Sequence, residues 1–179
     1  METATANAAE TKTGAITEIS SGQIVAKMLK QEGIKHIFTI SGGHIVDIYK
    51  GCIDEGIEIV DVRHEQVAAH AADAYARITG LGCAVVTAGP GTTDAVTGMA
   101  NAYRAESPML LIGGNSPLKQ YRMGGLQELR HTEMMTPISK FALGYQTAPL
   151  DARHWPAGRQ LAARCWDRQE TRRVRRLFP

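Results

Sequence analysis

The chain has 179 residues, room for one domain with tails, and 44% of them are hydrophobic, which is ordinary for a protein that buries a core. No stretch approaches the roughly 20 apolar residues that span a bilayer, and Met1 to Gly14 has neither an apolar core nor an Arg, so it fits no signal or transit peptide. A net charge of +2 hides an asymmetry: residues 1–140 carry 12 Lys and Arg against 15 Asp and Glu, whereas residues 141–179 carry eight Arg against Asp151, Asp167 and Glu170.

These features lead us to expect a disordered tail over residues 1–19 and a cytoplasmic protein. Cys52, Cys83 and Cys165 are scattered without metal-like spacing. Cys52 and Cys83 fall in apolar runs, where reduced, buried thiols are expected.

In chain order, Ser20 or Ser21 caps a helix with Ile24, Val25, Met28 and Leu29 on one face, and Gly33 stops it. Ile34 to Ser41 (IKHIFTIS) reads as a strand. Gly42 and Gly43 turn the chain into a second helix with Ile45, Ile48, Tyr49 and Cys52 inward and Gly56 past its end. Ile57 to Val62 alternates like a strand. Glu65 to Thr79 is Ala-rich, with Val67, Ala71, Ala72, Tyr75 and Ile78 at helical spacing. Cys83 to Ala88 is a continuous apolar run, as for a strand covered on both faces. Asp94 to Arg104 reads as a helix with Val96, Met99, Ala100 and Tyr103 inward, and Pro108 to Ile112 as a fourth strand closed by Gly113 and Gly114.

Strands alternating with helices over short loops imply an α/β fold, an open parallel sheet with helices on both faces. In such sheets ligands bind beyond the carboxyl ends of the strands. Each strand here ends in a distinctive cluster: Ser41-Gly42-Gly43-His44, Arg63-His64-Glu65, Gly89-Pro90-Gly91-Thr92, and Gly113-Gly114-Asn115-Ser116. All four are expected on one rim. Glu65 would open a helix at the positive end of its dipole, either as a working carboxyl or as a residue that only complements the dipole. The alanines that follow it let another surface approach closely. Gly89-Pro90-Gly91 is a loop where main chain can abut a ligand. It is neither GxGxxG nor a phosphate-binding loop ending in Gly-Lys-Ser/Thr, so a dinucleotide or ATP site is not supported.

Arg63 to Arg77 (RHEQVAAHAADAYAR) resembles the signature helix of the thiamine-diphosphate enzyme family, which includes acetohydroxyacid (acetolactate) synthase, benzaldehyde lyase and 2-hydroxyacyl-CoA lyase. Gly89 to Gly114 and Met123 to Phe141 match the same family, so the resemblance covers about residues 20–141 with its motifs in order. It implies the pyrimidine-binding domain. The position of Glu65 holds the carboxyl that hydrogen-bonds the pyrimidine ring nitrogen and drives its amino–imino tautomerisation, while carbanion chemistry belongs to the cofactor. Pro90 and Gly91 would line the cofactor pocket beside a partner subunit. His44 falls where lyase-type members carry a substrate-facing His, and Gln127 where many have an active-site Gln. Either could instead be only a polar structural residue.

In that family Mg²⁺ and the diphosphate are held by a separate C-terminal domain with a Gly-Asp-Gly…Asn motif, and some members bind FAD or a CoA nucleotide in a central domain. No Gly-Asp-Gly occurs in this chain, so no metal site is expected in it. The resemblance implies a 2-keto acid or acyloin substrate, a same-family subunit completing the site, and no turnover by the chain alone. A regulatory module docking on a full-length relative is the alternative.

After Phe141 the vocabulary changes, with Lys and Met vanishing and Arg and Trp appearing. We expect an irregular Arg-rich tail over residues 142–179, with sequence from about 142–151 onward arising from a frameshift or truncation and the C-terminal part of the domain incomplete. The rival account, a basic arm for nucleic acid or an acidic membrane, lacks an aromatic stacking platform.

Overall fold

In the computed structural model of the chain the structure describes residues 19–144. Expectations for residues 1–18, for Cys165 and for the tail from residue 145 onward lie outside the described residues.

Helix α1 (Ser21–Gln31) begins at Ser20, whose hydroxyl accepts the Gln23 N–H while the Gln23 side chain accepts the Ser20 N–H, a complete capping box. Strand β1 (His36–Thr39) follows, then a 3₁₀ turn over Gly43–Ile45 and α2 (Val46–Asp54). Strand β2 (Glu58–Asp61), α3 (Glu65–Thr79), β3 (Gly82–Val86), the short α4 (Pro90–Asp94), α5 (Val96–Arg104) and β4 (Met109–Gly113) complete the sheet layer. Beyond it a short α6 (His131–Met135) follows an irregular stretch. Gly33 and Gly56 stop α1 and α2 with φ of +82° and +64°, values that favour glycine.

The four strands form one parallel sheet in the order β2-β1-β3-β4. Alternation along β3 divides the core into two layers. Cys83 and Val85 join Ile37, Ile45, Ile48 and Cys52 on one face, while Ala84 and Val86 join Ala68, Ala69, Ala72 and Ala95 on the other. The expected α/β fold with helices on both faces is therefore present. Cys52 and Cys83 are buried free thiols, as expected, and burial raises both, Cys52 to about 11.

The helix faces differ from the hydropathy reading. On α1 the buried positions are Gly22, Ala26 and Leu29, because glycine brings α1 and α2 together: a Cβ on Gly22 would lie 2.2 Å from the Asp47 carbonyl carbon. On α3 the buried residues are Ala68, Ala69, Ala72, Asp73 and Ala76, whereas Val67 and Ile78 are 50% and 86% exposed. The same inversion occurs on α5, which buries Gly98 and Ala102 and leaves Tyr103 exposed. Both follow from close approach. A Cβ on Gly82 would fall 1.9 Å from the Ala72 carbonyl oxygen, and one on Gly98 2.5 Å from Ala69 Cβ, so only small residues fit between these layers. The alanines of α3 thus admit the chain's own sheet and α5.

The helix expected from Asp94 instead begins at Pro90 and breaks at Ala95 before α5. Proline suits the first helical position, where its missing N–H has no partner to lose. Asp73, 3% exposed, ties α3 to α5 by accepting from Arg77 at 2.8 and 3.0 Å and from Asn101 at 2.6 Å. Burial alone would raise its carboxyl, but the hydrogen bonds, led by that from Arg77, hold it below its usual range. The apolar run of β4 is only half-buried, and among the described residues nothing pairs with its outer edge. No helix among the described residues is long and apolar enough to cross a membrane.

Candidate functional site

Because the sheet is parallel, its four carboxyl ends open onto one edge, and the four clusters that follow them touch there. Glycine makes each contact possible. A Cβ on Gly42 would lie 2.4 Å from Thr87 Cβ, on Gly114 2.7 Å from His44 Cβ, on Gly113 2.7 Å from Thr92 Oγ1, and on Gly91 3.1 Å from Glu65 Oε1. Thr87, 8% exposed, is the hub. Its hydroxyl lies 3.2 Å from His44 Nδ1, and its carbonyl accepts the Thr92 hydroxyl at 2.9 Å.

Glu65 is the first residue of α3. His64 caps the helix in an extended conformation, its Nδ1 accepting the Gln66 N–H at 3.2 Å. The Glu65 carboxylate is half-buried, and no described residue hydrogen-bonds or ion-pairs with it. The helix dipole explains why an acid is favoured there. It does not explain why Gly91 main chain is laid against that acid.

His64, Glu65 and Asp94 place ligand-type atoms within 4.8 Å of one another. Yet the His64 Nδ1 lone pair is committed to the helix cap, which leaves the neutral ring's proton on Nε2, 3.7 Å from Asp94 Oδ2. Ligation through Nε2 would require the other tautomer and loss of the cap. The trio is a capping His beside a carboxylate, and we assign it no metal.

Gly89 leaves β3 with φ +59° and ψ −116°, a conformation open to glycine, and a Cβ there would lie 2.7 Å from the Gln127 carbonyl oxygen. Gln127 itself has φ +58°. The neighbouring Glu128 carboxylate organises this loop, accepting main-chain N–H groups from Arg122, Gly124 and Gly125, the latter two at 3.1 Å. Those bonds, the one from Arg122 foremost, hold its carboxyl below the usual range. The buried Gly89 N–H is donated to His131 Nε2 at 2.8 Å.

The structure therefore brings Glu65 against Gly91, His44 against Thr87 and Gln127 against Gly89, while Pro90 stands exposed at the start of α4. His44 has no contact with the Glu65 carboxylate among the described hydrogen bonds. Thr87 and His131 were not singled out from the sequence. Thr87 could have been found as the polar residue closing the apolar run of β3, but nothing around His131 marks it. An open groove of about 670 Å³, lined by Asn115, Tyr121, Arg122 and Glu128 among others, shares His131 with this site but not Glu65, His44, Gln127 or Gly91.

Residues 19–134 match the family described as thiamine pyrophosphate enzyme, N-terminal TPP binding domain. A probable acetolactate synthase of Mycobacterium bovis is 42% identical over 139 residues, covering 77% of this chain and 25% of that relative. A 2-hydroxyacyl-CoA lyase 2 of Danio rerio is 46% identical over 127 residues, 70% of this chain and 20% of the relative. Its counterpart in Homo sapiens is 44% identical over 123 residues, 68% of this chain and 20% of the relative. The chain thus spans at most a quarter of the length of these relatives. It belongs to the thiamine pyrophosphate enzyme family, in the part described as the N-terminal TPP binding domain.

Proposed function

We propose that this chain provides the pyrimidine-binding half of a thiamine-diphosphate active site, in an acetolactate synthase-like or lyase-like enzyme acting on 2-keto acids or acyloins. One observation carries the reading: Gly91 main chain lies against half-buried Glu65, whose carboxylate has no hydrogen bond or ion pair among the described residues. Those residues fit an aminopyrimidine. Glu65 offers a carboxyl to a ring nitrogen, and Gly91, without a side chain, lets that carboxyl lie close against main chain.

When bound, the cofactor supplies a carbanion equivalent at its thiazolium carbon. The role of Glu65 is to share a proton with the pyrimidine nitrogen, a task suited to a carboxyl at a water-poor interface. The turn at Gly89 and the start of α4 hold Gly91 in place. His44, with Nδ1 3.2 Å from the Thr87 hydroxyl, would face substrate, and Gln127, packed against Gly89, would line the same site. Mg²⁺ and the diphosphate belong to another domain of the same family, as would FAD or a CoA nucleotide.

That second domain would come from a same-family subunit. The outward face of α3 suits such a neighbour: Val67, Ala71, Ala74 and Ile78 recur at helical spacing, and Val67 and Ile78 are exposed. The 179-residue chain alone then turns over no pyruvate with thiamine diphosphate and Mg²⁺. Transplanted into a full-length acetolactate synthase in place of its counterpart, the domain supports turnover, and Glu65→Gln lowers it about 10²–10⁴-fold with the fold intact. An unchanged rate in that chimera would return Glu65 to a dipole-complementing role.

A further inference from the structure

Three features of the rim converge on one side chain that the cofactor reading does not use. Gly89 is buried with a φ of +59°, it lies past the end of β3, and among the described residues its N–H has a single acceptor, His131 Nε2 at 2.8 Å. A ring nitrogen that accepts an N–H must carry its lone pair there, so the His131 ring is neutral and its proton sits on Nδ1. The bond joins residues 42 positions apart and closes α6 onto the end of β3.

We propose that His131 is a positioning residue for the cofactor pocket: as a neutral imidazole protonated on Nδ1, it accepts the Gly89 N–H and fixes the turn that lays Gly91 against Glu65. Three surroundings keep that state. The loop before His131 is shaped by Glu128, which accepts three of its main-chain N–H groups and so fixes the segment that leads into α6. Gln127 main chain packs directly on Gly89 and leaves no room for a side chain there. Burial, and secondarily the nearby His44, also pull the His131 pKa below the ordinary imidazole value, which favours the neutral ring at pH 7.

The inference rests on the cofactor reading only in what the turn is for, and the test separates the two. In the ¹⁵N-labelled 179-residue chain at pH 7.5, long-range ¹H–¹⁵N spectra show His131 protonated on Nδ1 alone, and the Gly89 amide is protected from exchange. Thiamine, used as the probe, shifts the resonances of Glu65 and Gly91. His131→Gln, which keeps an acceptor of similar reach, retains both the Gly89 protection and the thiamine response. His131→Leu loses both while α1–α2 resonances stay in place. Protonation on Nε2 in the unmodified chain would overturn the proposal without any variant, even if His131→Leu fails to fold. So would an equal thiamine response in His131→Leu and the unmodified chain. If thiamine moves neither Glu65 nor Gly91 while Gly89 stays protected, the cofactor reading falls, the bond is only a structural latch, and the positioning role falls with it.

Discussion

Adding one methyl group at Gly91 tests the rim's central contact. A Cβ there would lie 2.7 Å from Thr87 Cγ2 and 3.1 Å from Glu65 Oε1. The carboxylate has no partner to hold it and can yield by a few tenths of an ångström. Thr87 cannot. It is 8% exposed, its hydroxyl faces His44 Nδ1, and Gly42 closes on its other side, with a virtual Cβ 2.4 Å away. Overpacking of this kind costs about 1–3 kcal/mol, and alanine recovers up to about 1 kcal/mol over glycine inside a helix. The overpacking exceeds that gain, so Gly91→Ala is destabilised by a net of up to about 2 kcal/mol, which a urea midpoint resolves at the usual slopes of roughly 1–3 kcal/mol per molar. Gly43→Ala is the control, because a Cβ there meets nothing within 4 Å. It should be neutral or stabilised by about 0.4–1 kcal/mol through the unfolded chain. If Gly91→Ala is as stable as the parent while the control behaves, Gly91 is not packed as described and the closeness of Glu65 to main chain is without consequence.

Three more outcomes follow from side chains already placed. Asp73→Asn weakens hydrogen bonds to a charged group and costs about 1.5–3 kcal/mol at pH 7; because the Asp73 pKa is lowered from 3.8, its contribution is full above that value and fades as pH falls through the folded one. The variant's acid-unfolding curve, followed by circular dichroism, is accordingly shallower below pH 3.8, and equal stability at pH 7 would refute the role of the network. Cys52 and Cys83, buried with raised pKa values, stay unmodified by iodoacetamide at pH 8 and react only after urea is added, which peptide mass mapping reads directly; fast native labelling of either contradicts the two-layer core. In the assembled chimera, His44→Ala alters relative kcat/KM among 2-keto acids or acyloins more than it alters thiamine diphosphate affinity, and a change confined to cofactor affinity would remove His44 from the substrate side.

What the sequence made legible was whatever local chemistry decides. Apolar runs placed all four strands, Ser20 or Ser21 placed a helix start, and Gly33 and Gly56 placed two helix stops. Parallel strands in turn implied that Glu65, His44 and Gly91 would share a rim. Helix faces were misjudged where hydropathy and size disagree: Val67 and Ile78 outrank alanine in apolar area, yet the space over Gly82 admits only alanine. Gln127 sits on a loop, and His131 opens the helix after it, whose placement is set by Glu128 and by contact with Gly89, both without a periodic signature.

The inverted face of α3 links packing to the proposed chemistry. Glu65 can reach Gly91 only if the first turn of α3 lies low over the end of β3, and that depth is set along the helix by Ala69 against Gly98 and by Ala72 against Gly82. A larger residue at any of these four positions would lift the helix and, with it, the carboxylate. The same low seat turns Val67 and Ile78 outward, where they are of no use to this domain's own core. An exposed apolar stripe is tolerated when a partner covers it, and here it begins two residues after Glu65 on the same helix. One small-residue face thus sets the depth of the acid, while the opposite face offers a seat for the surface that would complete the site around it.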